Sequence, residues 1–355
     1  MKKIICVSFG ILSLIFFVSI QLSAQEYKVT ISYKENTVKS IAELIRENYI
    51  LKDKRDFIAG ELTEKFENRS YSTINDLLSL ADKLTKDLQD ISGDGHFAVV
   101  YDPKRVTEMK MDRDELSPKE QEKIENSRRE SQRIGNFGFK KVEILDGNVG
   151  YLDLRYFRSI IYAAETAHSA MAFLSNSDAI IIDLRNNSGG GAGMYKLLAS
   201  YFFTDDTVHL GNVYNGLIDE IQEFWTLPEL PGKRMPEITL YILTSKNTFS
   251  AAEEFAYDLK HLKRAIIVGE PTGGGAHMVT RLAINDEFYI FMPFAGAINP
   301  ITNSSWEGYG VQPHHVVKSD EALRTAHILS LKKLIKTSKD DEYKLKLETF
   351  LKKLE

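Results

Sequence analysis

Apolar residues recur at helical spacing through the first part of the chain. Val38, Ile41, Leu44, Ile45 and Tyr49 form one stripe, and Ile74, Leu77, Leu78, Ala81, Leu84 and Leu88 form another. This is the i, i+3, i+4 pattern of helices that bury one face. No strand-like alternation interrupts it between Asn36 and Gln89. From Pro103 to Arg133, Asp, Glu, Lys and Arg dominate, which predicts a solvated helical linker or a lid. The rhythm then changes. Val149–Leu154, Ala179–Leu184, Ile238–Leu243 and Ala265–Val268 are short apolar runs that read as strands, the β-branched Ala179–Leu184 run as one buried on both faces. Ile160–Leu174, Tyr195–Phe203 and Ala251–Leu262 read as helices between them, and Val279–Ile284 with Glu287–Met292 as a strand pair. Strands alternating with helices predict an α/β domain with a mainly parallel sheet. Asp320 to Glu355 reads as a charged helical tail.

The first residues carry a different signal. Lys2 and Lys3 precede an almost unbroken apolar run from Ile4 to Ile20, and Ser23-Ala24 offers small residues at a cut. That order of charge, apolar run and cleavage site describes a secretory signal peptide. The run is slightly short for a membrane span of about 20 residues. Cleavage after residue 24 leaves 331 residues, enough for a substantial domain and a smaller one. The sole cysteine, Cys6, lies inside the apolar run, so the mature chain has no disulfide, thiol nucleophile or thiolate metal site. Formal charge is −5, or −7 once Lys2 and Lys3 are removed, which speaks against a nucleic-acid partner.

In parallel α/β sheets, ligands meet the loops that follow the carboxyl ends of strands. After Ala179–Leu184 comes Arg185-Asn186-Asn187-Ser188-Gly189-Gly190-Gly191-Ala192-Gly193 and then a helix. Glycines there let backbone N–H groups face a ligand, as an oxyanion hole requires. The dinucleotide spacing fails, because Met194 and Lys196 stand where its third glycine belongs. After Ile238–Leu243 comes Thr244 to Glu254, with Ser250 at the start of a helix. Ser250-Ala251-Ala252-Glu253 fits a capping box, which is reason enough for a serine. The same strand–turn–helix position also suits a nucleophile, with the Ala251 N–H as one oxyanion donor.

The chain resembles the tail-specific, or C-terminal processing, serine peptidases, whose relatives include the tricorn core protease and the repeats of interphotoreceptor retinoid-binding protein. The segments that carry the resemblance are Gly93-Asp94-Gly95-His96-Phe97, Val149-Gly150-Tyr151-Leu152, Asp183 to Asn187 with the glycines, Thr244-Ser245 with Thr248 to Glu253, Gly269 to Gly275, and Gly310-Val311-Gln312-Pro313. It implies a crotonase/Clp-protease-like α/β catalytic domain with a small N-terminal helical domain, and peptide-bond hydrolysis with Ser250 as nucleophile. The branch with a Ser–Lys dyad has Lys where this chain has Gly275, so the base must be another residue. By resemblance to the tricorn-like branch, His96 is the base and Glu307 orients it. Gly190 and Ala251 are the expected oxyanion donors, with Gly189 the other choice for the first. His277, just beyond the triple glycine, is a rival base, and His314 and His315 are a second rival pair. The latter lack the spacing of a metal motif, so no metal and no cofactor are expected. No PDZ-like module separates His96 from Val149.

The expected organisation is therefore a signal peptide (1–24), a helical domain ending in the His96 loop (25–102), a charged linker or lid (103–136), the peptidase domain (137–318) and a helical tail (319–355). The expected function is an exported serine endopeptidase, periplasmic or extracellular, with a polypeptide substrate and no stable membrane span after cleavage. A non-catalytic module that binds an apolar ligand stays open as the second reading. The oligomeric state is not legible.

Overall fold

The computed structural model describes residues 29–111 and 116–355; the expected signal peptide lies outside them. Three helices open the described chain: α1 (Ile31–Asn48), α2 (Arg55–Glu67) and α3 (Leu77–Ser92). The Thr30 hydroxyl accepts the Tyr33 N–H at the start of α1, and Asp76 accepts the Ser79 N–H at the start of α3. Gly93, at φ 72°, closes α3 in the left-handed region that glycine tolerates at helix ends. The expected stripes are buried except for Leu78, which is exposed: Val38, Ile41, Ile45, Leu77, Ala81, Leu84 and Leu88 form one core, joined by Leu80.

That core is completed by strands. β1 (Ala98–Tyr101), β5 (His209–Asn215), β6 (Glu220–Trp225), β9 (His277–Ala283) and β10 (Phe288–Ile298) form an antiparallel sheet. Its order is β1-β10-β5-β6, with β9 also paired to β10. Phe97, Val99, Phe288, Ile290 and Met292 join the helices in the same core. Of this sheet the sequence announces only the β9–β10 pair.

The main sheet contains β2 (Phe139–Leu145), β3 (Val149–Leu154), β4 (Ala179–Asp183), β7 (Thr239–Thr244), β8 (Ala265–Gly269) and β11 (His315–Val316), in the order β11-β8-β7-β4-β3-β2. It is parallel except for β2. Ile180, Ile182, Leu240 and Ile242 face α6 (Ile160–Leu174), α7 (Ala192–Ser200) and α8 (Ala251–His261). Their neighbours Ala179, Ile181, Tyr241 and Leu243 face α9 (Ala322–Thr337) and α10 (Asp341–Leu354). Successive side chains of a strand point to opposite faces, so helices on both faces explain the unbroken apolar runs. Alignment of Asp183 with Leu243 brings the loops after β4 and β7 out side by side.

The charged stretch folds into α4 (Pro103–Lys110) and α5 (Pro118–Arg133). A Ser117–Glu120 capping box opens α5, which buries none of its residues. Among the described residues no helix is long and apolar enough to cross a membrane.

The tail is part of the fold rather than an appendage. Leu347 of α10 is fully buried with Val149 and Leu331. Leu347→Ala is expected to cost about 2–4 kcal/mol through the cavity it leaves, read as a lower urea midpoint at unchanged m-value.

Candidate active site

Ser250 stands between the loop after β7 and the first turn of α8, with φ 56° and ψ −127°. A non-glycine residue rarely adopts such a conformation. Two partners hold it. The Phe249 N–H donates to the Asn187 carbonyl at 3.0 Å, and the Ser250 N–H donates to Glu253 Oε2 at 2.8 Å. The β4 loop is fixed to this elbow: Thr248 Oγ1 donates to the Leu184 carbonyl at 2.8 Å, and Ser245 Oγ to that of Arg185.

The glycine loop lies directly against the serine. A Cβ on Gly189 would stand 2.8 Å from Ser250 Cβ, and one on Gly190 2.0 Å from the Phe157 carbonyl oxygen. Both glycines have positive φ, so no side chain fits either position. The Gly189 N–H is spent on Asn187 Oδ1 at 2.9 Å, and the Gly191 N–H on the Phe157 carbonyl at 2.7 Å. Gly190, Ser250 and Ala251 line one small cavity together with Glu254, Ala276, His277 and Trp306.

Glu253, fully buried, joins the elbow to the Gly273–Gly275 loop. Besides Ser250, its carboxylate accepts from the Thr272 hydroxyl at 2.5 Å, the Gly274 N–H at 2.7 Å and the Gly275 N–H at 2.9 Å. Burial pushes this carboxyl up, and the four donors pull against it. The loop so held leads into His277 at the start of β9.

His96 arrives from the other core. Asp94 folds back on its own backbone, accepting the His96 N–H at 2.9 Å. This places Asp94 Oδ1 3.3 Å from His96 Nδ1, while Asp94 Oδ2 accepts from His277 Nδ1 at 2.6 Å. Burial pushes the Asp94 carboxyl up, but the two histidines hold it well below the usual range. Burial pushes His277 down, yet Asp94 and Glu307 raise it overall. The His96 ring packs on Phe249, the residue before the serine, with centroids 4.6 Å apart. Its side chain is only 6 % exposed, and neither ring nitrogen has a hydrogen-bond partner. Glu307 accepts the Ala276 N–H at 2.5 Å and stands 3.9 Å from His277 Nδ1. Burial pushes its carboxyl up.

Ser250, His96, Glu307, Gly190 and Ala251 thus converge from four segments. The structure adds two residues to them. Asp94 is the carboxylate nearest His96, ahead of Glu307, because its turn is local. Glu253 reads in the sequence as a capping residue only, since its other donors follow about twenty residues later. His277 enters the cavity, whereas His314 is occupied elsewhere, its Nδ1 accepting the Ile267 N–H at 3.0 Å.

Comparison with known proteins gives two family matches. Residues 148–317 match Peptidase family S41, and residues 30–146 match the N-terminal domain of Peptidase_S41 in eukaryotic IRBP. The chain belongs to peptidase family S41. A carboxyl-terminal-processing protease of Synechocystis sp. is 28% identical over 172 residues, which are 48% of this chain and 38% of that protein. A lipoprotein from Streptococcus agalactiae has the same fold, at 14% identity and TM-score 0.54 over 84% of this chain and 96% of that one. So does the photosystem II D1 C-terminal processing protease, at 15% identity and TM-score 0.50 over 81% and 93%.

Within this S41 chain, Gly275 has a steric reason. A Cβ there would fall 2.2 Å from Phe249 Cζ and 2.7 Å from His96 Cε1, so the histidine and its aromatic support fill the space of a lysine. Two substitutions test the frame. If the Gly190 N–H is an oxyanion donor, Gly190→Ala is expected to lower turnover at least about 10²-fold, because the added Cβ strikes the Phe157 carbonyl and moves the N–H away. Glu253→Gln turns an amide N–H₂ toward buried donors and is expected to cost about 1–3 kcal/mol in denaturant unfolding.

Proposed function

We propose that the protein is an exported serine endopeptidase that cleaves polypeptides through Ser250. The supporting observation is the strained elbow, which presents Ser250 beside the Gly190 loop at a helix N-terminus while His96 packs on the preceding residue. Family membership makes the reaction class peptide hydrolysis. The apolar N-terminal segment supports export.

In this reading Ser250 Oγ attacks the scissile carbonyl carbon as His96 Nε2 takes the hydroxyl proton. Asp94 faces Nδ1, fixes the tautomer and stabilises the imidazolium. Glu307 adds negative charge behind the histidine pair and anchors the loop through Ala276. The oxyanion accepts from the Ala251 N–H, which has no intrahelical partner at the first position of α8, and from the Gly190 N–H. Gly190 is preferred to Gly189, whose amide is already bonded to Asn187. His96 passes its proton to the leaving amine. Water then attacks the acyl-Ser250 carbonyl carbon, yielding its proton to His96, and the Ser250–acyl bond breaks to free the acid and restore the serine.

The test incubates purified protein with a diverse peptide library and reads cleavage by mass spectrometry. A fluorophosphonate probe reports the nucleophile separately. Ser250→Ala is expected to abolish labelling and lower turnover by about 10⁴–10⁶-fold, and His96→Ala by a comparable factor. Asp94→Asn should cost more than Glu307→Gln. Unchanged cleavage by Ser250→Ala would refute the proposal.

A further inference from the structure

Three ligand-type side chains meet behind Ser250: Asp94, His96 and His277 each offer one atom, all within 4.8 Å of one another. All three side chains are at least nine-tenths buried. His96 supplies the unusual feature: Nε2 is buried without a partner, and Nδ1 stands 3.3 Å from Asp94 Oδ1 outside hydrogen-bond geometry. An unpaired buried polar atom is costly, and an imidazole nitrogen that bonds nothing is free to ligate. We propose that Asp94, His96 and His277 form a Zn²⁺ site through which the metal reversibly inhibits the enzyme.

The donor set, two imidazoles and a carboxylate, is a common one for zinc with a fourth position left to water. Tetrahedral zinc with bonds of about 2.1 Å holds its ligand atoms roughly 3.4 Å apart. The two histidines face different oxygens of Asp94: His96 Nδ1 lies 3.3 Å from Oδ1 and His277 Nδ1 2.6 Å from Oδ2, so binding requires the second pair to open by less than an ångström and the carboxylate to turn one oxygen toward both rings. The surroundings fix the carboxylate as an outer shell does: Asp94 also accepts from Tyr49 Oη and from the His96 N–H. Zinc takes the place of the proton between Asp94 and His277, and the Nδ1 lone pair of each neutral imidazole binds the metal. Each ring gives up its Nδ1 proton to solvent as the metal binds, takes one proton from solvent at Nε2, and so stays a neutral imidazole.

Inhibition follows from that tautomer and rests on the reading of His96 as general base. With metal on Nδ1 and a proton on Nε2, His96 has no lone pair left to receive the Ser250 proton. The metal acts on the base and leaves the nucleophile and the oxyanion donors untouched. Turnover should therefore fall while the substrate KM stays the same.

Binding is measured apart from activity. Zinc is titrated calorimetrically into Ser250→Ala, and Co²⁺ into the wild-type protein, where intense visible absorption reports a low-coordinate site. One zinc per chain is expected, with affinity falling at least about tenfold in His277→Gln and in His96→Gln, on the scale of changes that perturb such sites. Wild-type turnover should be lost on adding Zn²⁺ and restored by a chelator. Absence of binding, or binding equal in both variants, overturns the site whatever the protease assay shows. Binding that the variants lose, without inhibition of the wild type, leaves the site standing and removes His96 from the role of base. The Co²⁺ spectrum needs no variant, so a misfolded substitution does not leave the question open.

Discussion

The buried carboxylate of Glu253 is the constraint on which the centre rests. It gathers four donors from two segments, fixing the Ser250 elbow with one oxygen and the Thr272–Gly275 turn with both. A charge so far from water is tolerated only with its acceptor capacity filled. Satisfying it therefore sets the distance between the serine and the loop that carries Gly275, Ala276 and His277. A helix-capping residue thereby becomes the joint between the parallel sheet and the antiparallel one.

The second joint is Asp94. It belongs to the helical N-terminal part, yet its shortest bond reaches across 183 residues to His277 on β9. The active centre is shared between two hydrophobic cores, one under α1 to α3 and one under α6 to α8. Neither alone assembles a serine with a histidine beside it. Loosening of the N-terminal helices would act on His96 before it acted on Ser250.

Strands β3, β4, β7 and β8 of the main sheet were legible because they are buried on both faces and so read as unbroken apolar runs. Ile160–Leu174 follows the expected bounds for the same reason, with α7 and α8 shifted by only a few residues. The antiparallel sheet was largely hidden. β1 has four residues and β6 turns all but Phe224 toward solvent, and at the edge of the main sheet β2, equally unannounced, exposes Lys140 and Lys141. Short or edge strands lack the alternation that periodicity detects. At the site, Ser250 and the glycines stood out because strand ends announce them. The Asp94–His277 bond and the donors of Glu253 were not legible, since local sequence carries no trace of a partner that only the fold supplies.

Gly275 carries a further meaning. The volume that a lysine would need is already filled by His96 and Phe249, so a lysine at 275 and the histidine at 96 exclude each other by space, whatever their chemistry. A lysine at 275 would collide with the imidazole of His96 and with the ring of Phe249. Position 275 is therefore tied to position 96, nearly two hundred residues earlier in the chain, by contact alone: what one may be depends on what the other is.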